Sequence, residues 1–292
     1  MKQFVFSAFA DEAASGIEAQ IAALERNEIG RIEIRNVGGT CIIDLEYDEI
    51  RRIGALLASH GIRVSAIASP IGKISVAEDF AVHKKRFVRA MEAAELLGTD
   101  RIRIFSFFIP QGMPPANYTD DVLKRLDDMA ECAAKRRLFL CHENEKGIYG
   151  EQPEQVKTLL DALETEYFTT VFDPANYVQA GADPEAAYGM TKRRIRYFHV
   201  KDAQKGSGTV VPAGFGDGKI RSILRDAADQ KFFPKPICLT VEPHLAAFEG
   251  YRNLGDDTPL GTDRFCFKDN NESFDAACGA LKTLLHDMTL SY

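Results

Sequence analysis

Four stretches of this chain end in residues that can ligate a metal. Arg196-Tyr-Phe-His-Val-Lys-Asp202 delivers a histidine, a lysine and an aspartate at the end of an apolar–polar alternation. Leu138-Phe-Leu-Cys-His-Glu143, Phe168-Thr-Thr-Val-Phe-Asp173 and Pro236-Ile-Cys-Leu-Thr-Val-Glu242 are mostly apolar runs that each finish on a carboxylate. Three carboxylates and an imidazole gathered away from water repel one another unless a cation sits among them. Mn²⁺, Mg²⁺ and Co²⁺ suit mostly oxygen donors, and Zn²⁺ is also compatible. The chemistry to look for is one divalent ion held by Glu143, Asp173, His199 and Glu242.

Each residue alone has a plainer reading. An Asp before Pro, as at Asp173, commonly forms a turn. A lone strand histidine is more often a hydrogen-bonded structural residue than a ligand. Glu242 is harder to dismiss, because an unpaired buried carboxylate costs roughly several kcal/mol. The four become a site only if the fold brings them together.

The pattern around them predicts such a fold. Alternating or continuous apolar runs predict strands at residues 4–9, 31–36, 62–68, 101–105, 138–143, 168–172, 196–202 and 236–242. Helical spacing predicts helices near 14–28, 46–60, 78–97, 120–135, 152–163, 184–193, 220–230 and 274–285. Ile17, Ile21 and Leu24 share the face of the first. Gly61 and Gly98 stand just past the second and third, where glycine ends helices. Residues 109–117 hold three prolines and read as loop, and a polar segment at 248–271 precedes the last helix. Eight strands alternating with eight helices make one (β/α)₈ TIM barrel over residues 1–292. A doubly wound open sheet is the runner-up, but no strand is followed by G-x-G-x-x-G.

Active sites of such barrels lie at the C-terminal strand ends, and strand residues alternate between barrel interior and helix layer. Phe198 and Val200 face the helices, leaving Tyr197, His199 and Lys201 inside. Leu239 and Val241 face out, with Thr240 and Glu242 inside; Leu138 and Leu140 face out, with Phe139, Cys141 and Glu143 inside. Asp173 continues the inward phase of Val171, and Glu33 sits inward between Ile32 and Ile34. Glu143, Asp173, His199 and Glu242 therefore converge on one mouth, and Asp202 faces elsewhere as support. Glu145 shares the phase of Glu143 but falls in the loop beyond, so Glu143 is preferred.

Composition narrows the class. The 292 residues are 45% hydrophobic and 27% charged, as in globular proteins. A net charge of −7 argues against a general nucleic-acid binder. Six scattered cysteines without a C-x-x-C pair read as reduced thiols. With no signal peptide and no apolar run long enough for a bilayer, the expectation is a cytoplasmic protein without membrane contact.

The same residues carry a family likeness over nearly the whole chain. It lies in Ile32-Glu-Ile-Arg35, Glu143-Asn144, Phe172-Asp-Pro-Ala-Asn176, Phe198-His-Val-Lys-Asp202, Pro212-Ala-Gly-Phe-Gly-Asp-Gly218 and Val241-Glu-Pro243. In this order and spacing the chain resembles the sugar phosphate isomerase/epimerase family. These are xylose isomerase-like barrels that include ketose 3-epimerases, inosose dehydratases and hydroxypyruvate isomerases. The resemblance implies one divalent metal on Glu143, Asp173, His199 and Glu242. It implies that Glu143 and Glu242 act as acid and base at the carbon beside a carbonyl, through an enediolate. Glu33, Lys201 and Asn176 are the expected substrate-binding residues, with Lys201 near the oxyanion or else paired to Asp202 or Glu242. The substrate implied is a small sugar, keto-sugar or cyclitol; homo-oligomerisation stays open.

Two departures separate the chain from ketose 3-epimerases. Asn176 stands where they have a sugar-contacting histidine, and Lys205 where they have an arginine. A dehydratase uses the same enolate and is the main alternative. Type IV apurinic endonucleases resemble the chain distantly, but need more histidines for three zinc ions than His60, His83, His142, His244 and His286 supply. A non-catalytic sugar-binding barrel is the remaining class. The glycine-rich segment 206–218 either presents N–H groups to a phosphate or is a loop ending in an Asp217 helix cap. Phe107, Phe108 and Tyr149 are expected at the rim, as sugar-stacking, lid or subunit-contact residues.

Overall fold

The computed structural model describes residues 2–246, 265 and 267–292. Eight parallel strands close into a barrel: β1 Phe4–Ala8, β2 Arg31–Ile34, β3 Arg63–Ala68 and β4 Arg101–Ile104, then β5 Phe139–Glu143, β6 Phe168–Phe172, β7 Ile195–Val200 and β8 Ile237–Val241. Each strand pairs with its sequence neighbours, and β8 closes on β1 with Ala8 opposite Val241. The helices are α1 Ile17–Arg26, α2 Tyr47–Ser59, α3 Phe80–Leu97, α4 Thr119–Lys135, α5 Pro153–Ala162, α6 Pro174–Gln179, α7 Pro184–Thr191, α8 Ile220–Asp229 and α9 Asn270–Asp287. The expected barrel is the observed one.

Alternation separates two apolar layers. Inside the barrel, Ala66, Cys141, Val171, Tyr197 and Cys238 form their own cluster, with Val5 and Phe139 against it. Leu138, Leu140, Phe198, Val200, Leu239 and Val241 belong to the larger core between barrel and helices. The inside–outside assignment of strands five, seven and eight thus holds residue by residue. The inner layer is an apolar plug, and polar residues sit above it.

The differences are local. Six-residue α6 was not anticipated, because it is too short to show helical periodicity; Pro174 starts it and the Asp173 carboxylate caps it through the N–H of Asn176. Residues 115–118 form a 3₁₀ turn within the predicted loop. The seventh strand stops at Val200, and Asp202–Ala203 pair instead with Val210–Val211 in a small antiparallel ribbon. Helix α9 starts at Asn270, and most of the polar segment predicted at 248–271 lies outside the described residues, as does Cys266. Cys41, Cys132, Cys141, Cys238 and Cys278 are free thiols. Among the described residues, no helix is long and apolar enough to cross a membrane.

Candidate metal centre

The C-terminal ends of β5 to β8 bring Glu143, Asp173, His199 and Glu242 to one mouth. Each offers a ligand atom, and the four atoms lie within 4.8 Å of one another. All four residues are buried, Asp173 completely. His199 Nδ1 is 2.9 Å from Glu143 Oε1 and 3.6 Å from Glu242 Oε2. Its other nitrogen, Nε2, lies 3.2 Å from both oxygens of Glu33. Glu33 also accepts the Tyr197 hydroxyl at 2.7 Å. The imidazole is thus held from behind, with Nδ1 turned to the carboxylates.

Lys201 reaches into the same ring. Its Nζ is 3.2 Å from Asp173 Oδ2 and 3.3 Å from Glu242 Oε2, and it donates to His244 Nδ1 at 3.3 Å. Of the pairings considered for Lys201, Glu242 is observed, Asp202 is not, and Asp173 is new. Asn176 donates to the Asn144 carbonyl at 2.8 Å and lies 3.5 Å from Glu143 Oε1. Asn144 in turn binds the Asp173 backbone through both ends of its amide.

Two cationic groups that sequence reasoning missed flank this ring. Arg103 donates to Glu143 Oε2 at 3.0 Å. Arg35 makes a bidentate pair with Asp11 at 2.9 and 3.1 Å, donates to Glu12 at 3.0 Å, and approaches Glu242 at 3.7 Å. The signal was present: Arg35 and Arg103 follow the inward phase of their strands, but alternation was applied there only to Glu33. Glu12 and His244 lie beyond strand ends, where alternation stops being a guide. With Glu242 they form a second group of closely spaced donors. Its atoms are already engaged, Glu12 by Arg35 and the His244 backbone N–H, Glu242 by Lys201.

The electrostatics mark one carboxylate as different. Burial would raise the Glu143 carboxyl, but His199 and Arg103 outweigh it and hold it at about 2. Burial also opposes ionisation of Glu242, yet Lys201, His244 and His199 hold it well below the usual range. Burial tends to neutralise His199, whereas Glu143 and Glu33 push it well above an ordinary imidazole. Asp173 goes the other way: burial raises it to about 7, with Glu242 and Glu143 adding to the rise and Lys201 only partly offsetting it. Its buried Oδ2 has the Lys201 ammonium 3.2 Å away but accepts no well-aligned hydrogen bond. An under-neutralised carboxylate facing two others and an imidazole nitrogen fits a divalent cation, by charge and by donor type.

Several expected roles shift. Glu33 is fully buried beneath His199, and its oxygens are spent on Tyr197 and His199, so it does not open onto the mouth. Glu145 pairs with Lys73 at 3.0 Å and stands outside the ligand group. The glycine-rich segment is no phosphate cradle, since the N–H groups of Gly214, Gly216 and Gly218 bind the Asp202 carboxylate at 2.8 to 3.0 Å. Asp202 is therefore support, as expected. The cap of α8 is Lys219, not Asp217, whose side chain binds the Lys205 N–H. Phe107 is buried against Phe80 and His83, and Tyr149 is buried with its hydroxyl on Thr119, so neither presents an open ring face, and Phe108 is half-buried.

Comparison with known proteins agrees with the barrel fold. An L-ribulose 3-epimerase structure matches with a TM-score of 0.73 at 17% identity, covering 99% of this chain and 97% of that one. A probable 3-DHS dehydratase, AsbF of petrobactin synthesis from Bacillus anthracis, matches at 0.71 and 14%, covering 97% and 99%. The IolI protein, solved with a bound zinc atom, matches at 0.71 and 15%, covering 98% and 99%. At these identities the likeness is one of fold. No curated protein matches by sequence. The family model described as xylose isomerase-like TIM barrel matches residues 25–255, and the chain belongs to that family.

Proposed function

We propose that this protein is a divalent-metal-dependent isomerase or epimerase of a small sugar, keto-sugar or cyclitol. One observation carries the reading. Glu143 and Glu242 approach His199 Nδ1 from different strands, at 2.9 and 3.6 Å, each with a cation at its back. Two ionised carboxylates converging on one small space can take a proton from a carbon and return it on the other face. Glu143, Asp173, His199 and Glu242 would hold the ion, with Mn²⁺, Mg²⁺ or Co²⁺ favoured by three oxygen donors and Zn²⁺ compatible. The ion, when bound, supplies Lewis-acid stabilisation of the negative charge that develops on the substrate oxygen.

The remaining residues have separable tasks. Glu143 and Glu242 move the proton. Lys201 is close enough to the carboxylates to hydrogen-bond a substrate oxygen beside them. Asn176 offers its amide on the Glu143 side, where one N–H already leans 3.5 Å from the carboxylate. Glu33 and Tyr197 fix the tautomer and orientation of His199, a positioning role in place of the substrate contact first expected. Arg103 keeps Glu143 ionised.

The test is incubation with a panel of keto sugars and keto inositols in heavy water, read by mass. Isomerisation gives deuterium wash-in without loss of water. Loss of water identifies the dehydratase, the alternative compatible with the same residues. Glu143→Gln should lower turnover by roughly 10²–10⁴-fold, the usual range for removing a general acid–base group. No wash-in and no water loss on any substrate, with one metal bound per chain, would sink the enzymatic reading.

A further inference from the structure

The opposite mouth of the barrel carries a different polar cluster. Arginine opens three neighbouring strands, Arg31 in β2, Arg63 in β3 and Arg101 in β4. Arg31 and Arg63 are register partners. All three line a cavity of about 360 Å³, together with Ser65, Thr99 and Asp100. Arg196 joins from β7, its Nη2 3.3 Å from Asp100, while Arg101 Nε is 3.4 Å from the same carboxylate. Among the described residues, Arg101 and Arg196 pair with Asp100, the one acid lining the cavity, while Arg31 and Arg63 line it without an ion pair, in a chain of net charge −7.

Few of their donors are bound by groups of the chain itself. Arg31 is half-buried and Arg63 exposed, and among the described residues neither guanidinium has an ion-pair partner within the chain. The Nε atoms of Arg101 and Arg196 are buried without a well-aligned hydrogen bond, although Arg101 Nε lies 3.4 Å from Asp100 and the Arg196 guanidinium stacks on Phe139 at 3.7 Å. Leu57 of α2 and Leu97 of α3, near the helix C-termini, also line the cavity. Helix C-termini attract cations, but only within the last turn. Arg31 and Arg63 are also register partners of like charge, a repulsion that a bound anion would offset.

We propose that the N-terminal mouth of the barrel is an anion site that takes a phosphate group, free or on a small ester. A guanidinium fork matches two oxygens of a tetrahedral oxyanion, and several forks suit a dianion. The cavity admits a phosphate with a small organic body. The site stands apart from the ring of Glu143, Asp173, His199 and Glu242, separated by the plug of Ala66, Cys141, Val171, Tyr197 and Cys238. Its ligand binds without competing with substrate.

Isothermal titration of the full chain tests this, with inorganic phosphate and glycerol phosphate as separate titrants against chloride at equal ionic strength. The expected result is saturable binding of one anion per chain, weakened roughly tenfold or more in Arg31→Gln/Arg63→Gln by loss of charge-assisted hydrogen bonds. Arg63→Gln alone, at an exposed position, serves if the double variant does not fold. Stronger binding of free phosphate or of the ester identifies which source the site accepts. The proposal fails if neither titrant binds above chloride, or if the arginine variants bind as the wild type does. It also fails if Lys201→Met abolishes binding, because that places the anion at the ligand ring.

Discussion

Glu33 illustrates how much depends on a fully buried side chain behind the candidate ligands. Its carboxylate anchors His199 Nε2 and accepts from Tyr197, so Nδ1 alone faces Glu143, Asp173 and Glu242. Removing its charge should loosen the imidazole and reduce its basicity. Glu33→Gln is expected to weaken divalent-ion affinity by roughly 10–100-fold, the usual range for such supporting partners. Tyr197→Phe should weaken it less, because His199 keeps its own bond to Glu33. Competition with a chromogenic chelator measures both; unchanged affinity in Glu33→Gln would show that His199 needs no such anchor. Glu33 itself was legible as an inward residue. Its role was not, because alternation gives a side chain's direction and not its depth along the barrel.

At the scale of elements, the segment after β7 is organised by one buried carboxylate. Asp202 accepts four backbone N–H groups, from Ala203, Gly214, Gly216 and Gly218. A Cβ on Gly216 would come within 2.4 Å of Asp202 Oδ1 and 2.5 Å of the Ala203 carbonyl, so only glycine lets the chain wrap this closely. Asp202→Ala should cost roughly 2–4 kcal/mol by leaving several donors unpaired, and Gly216→Ala should perturb the same loop by steric displacement. Urea titration reads both. A second element-scale device is His83 on α3, which accepts the Gly72 N–H through Nε2 at 2.8 Å. Burial, aided by Arg86, lowers its pKa from 6.5 to about 4. The unfolded chain therefore gains a proton near pH 6.5 that the folded chain refuses until about pH 4. This contribution to stability is complete above about pH 6.5 and is lost as pH falls towards 4. His83→Gln, which keeps an acceptor for Gly72, should flatten that part of the urea-midpoint profile; an unchanged slope would assign the acid sensitivity elsewhere.

On the whole-molecule scale, the barrel was legible because its strands are short, apolar and punctuated by Gly, Pro and Asp. The four presumed ligands were legible because each ends such a strand in the inward phase. Arg35 and Arg103 were passed over although the same phase rule applies to them. Glu12 and His244 belong to segments with no periodicity, and only the closed barrel brings residue 12 beside residue 244. That closure has a consequence for kinetics. Cys141 and Cys238 lie inside the barrel in the apolar plug, 0% and 2% exposed, and burial pushes the Cys141 thiol up to about 12. Neither can meet an alkylating reagent while the strands are paired, whereas Cys41 and Cys132 are only partly covered. In mass-resolved labelling with iodoacetamide, Cys41 and Cys132 should react first. Cys141 and Cys238 should follow together, at a rate set by opening of the ring of strands. Two native thiols thereby time the breathing of the barrel, with no probe added to the chain.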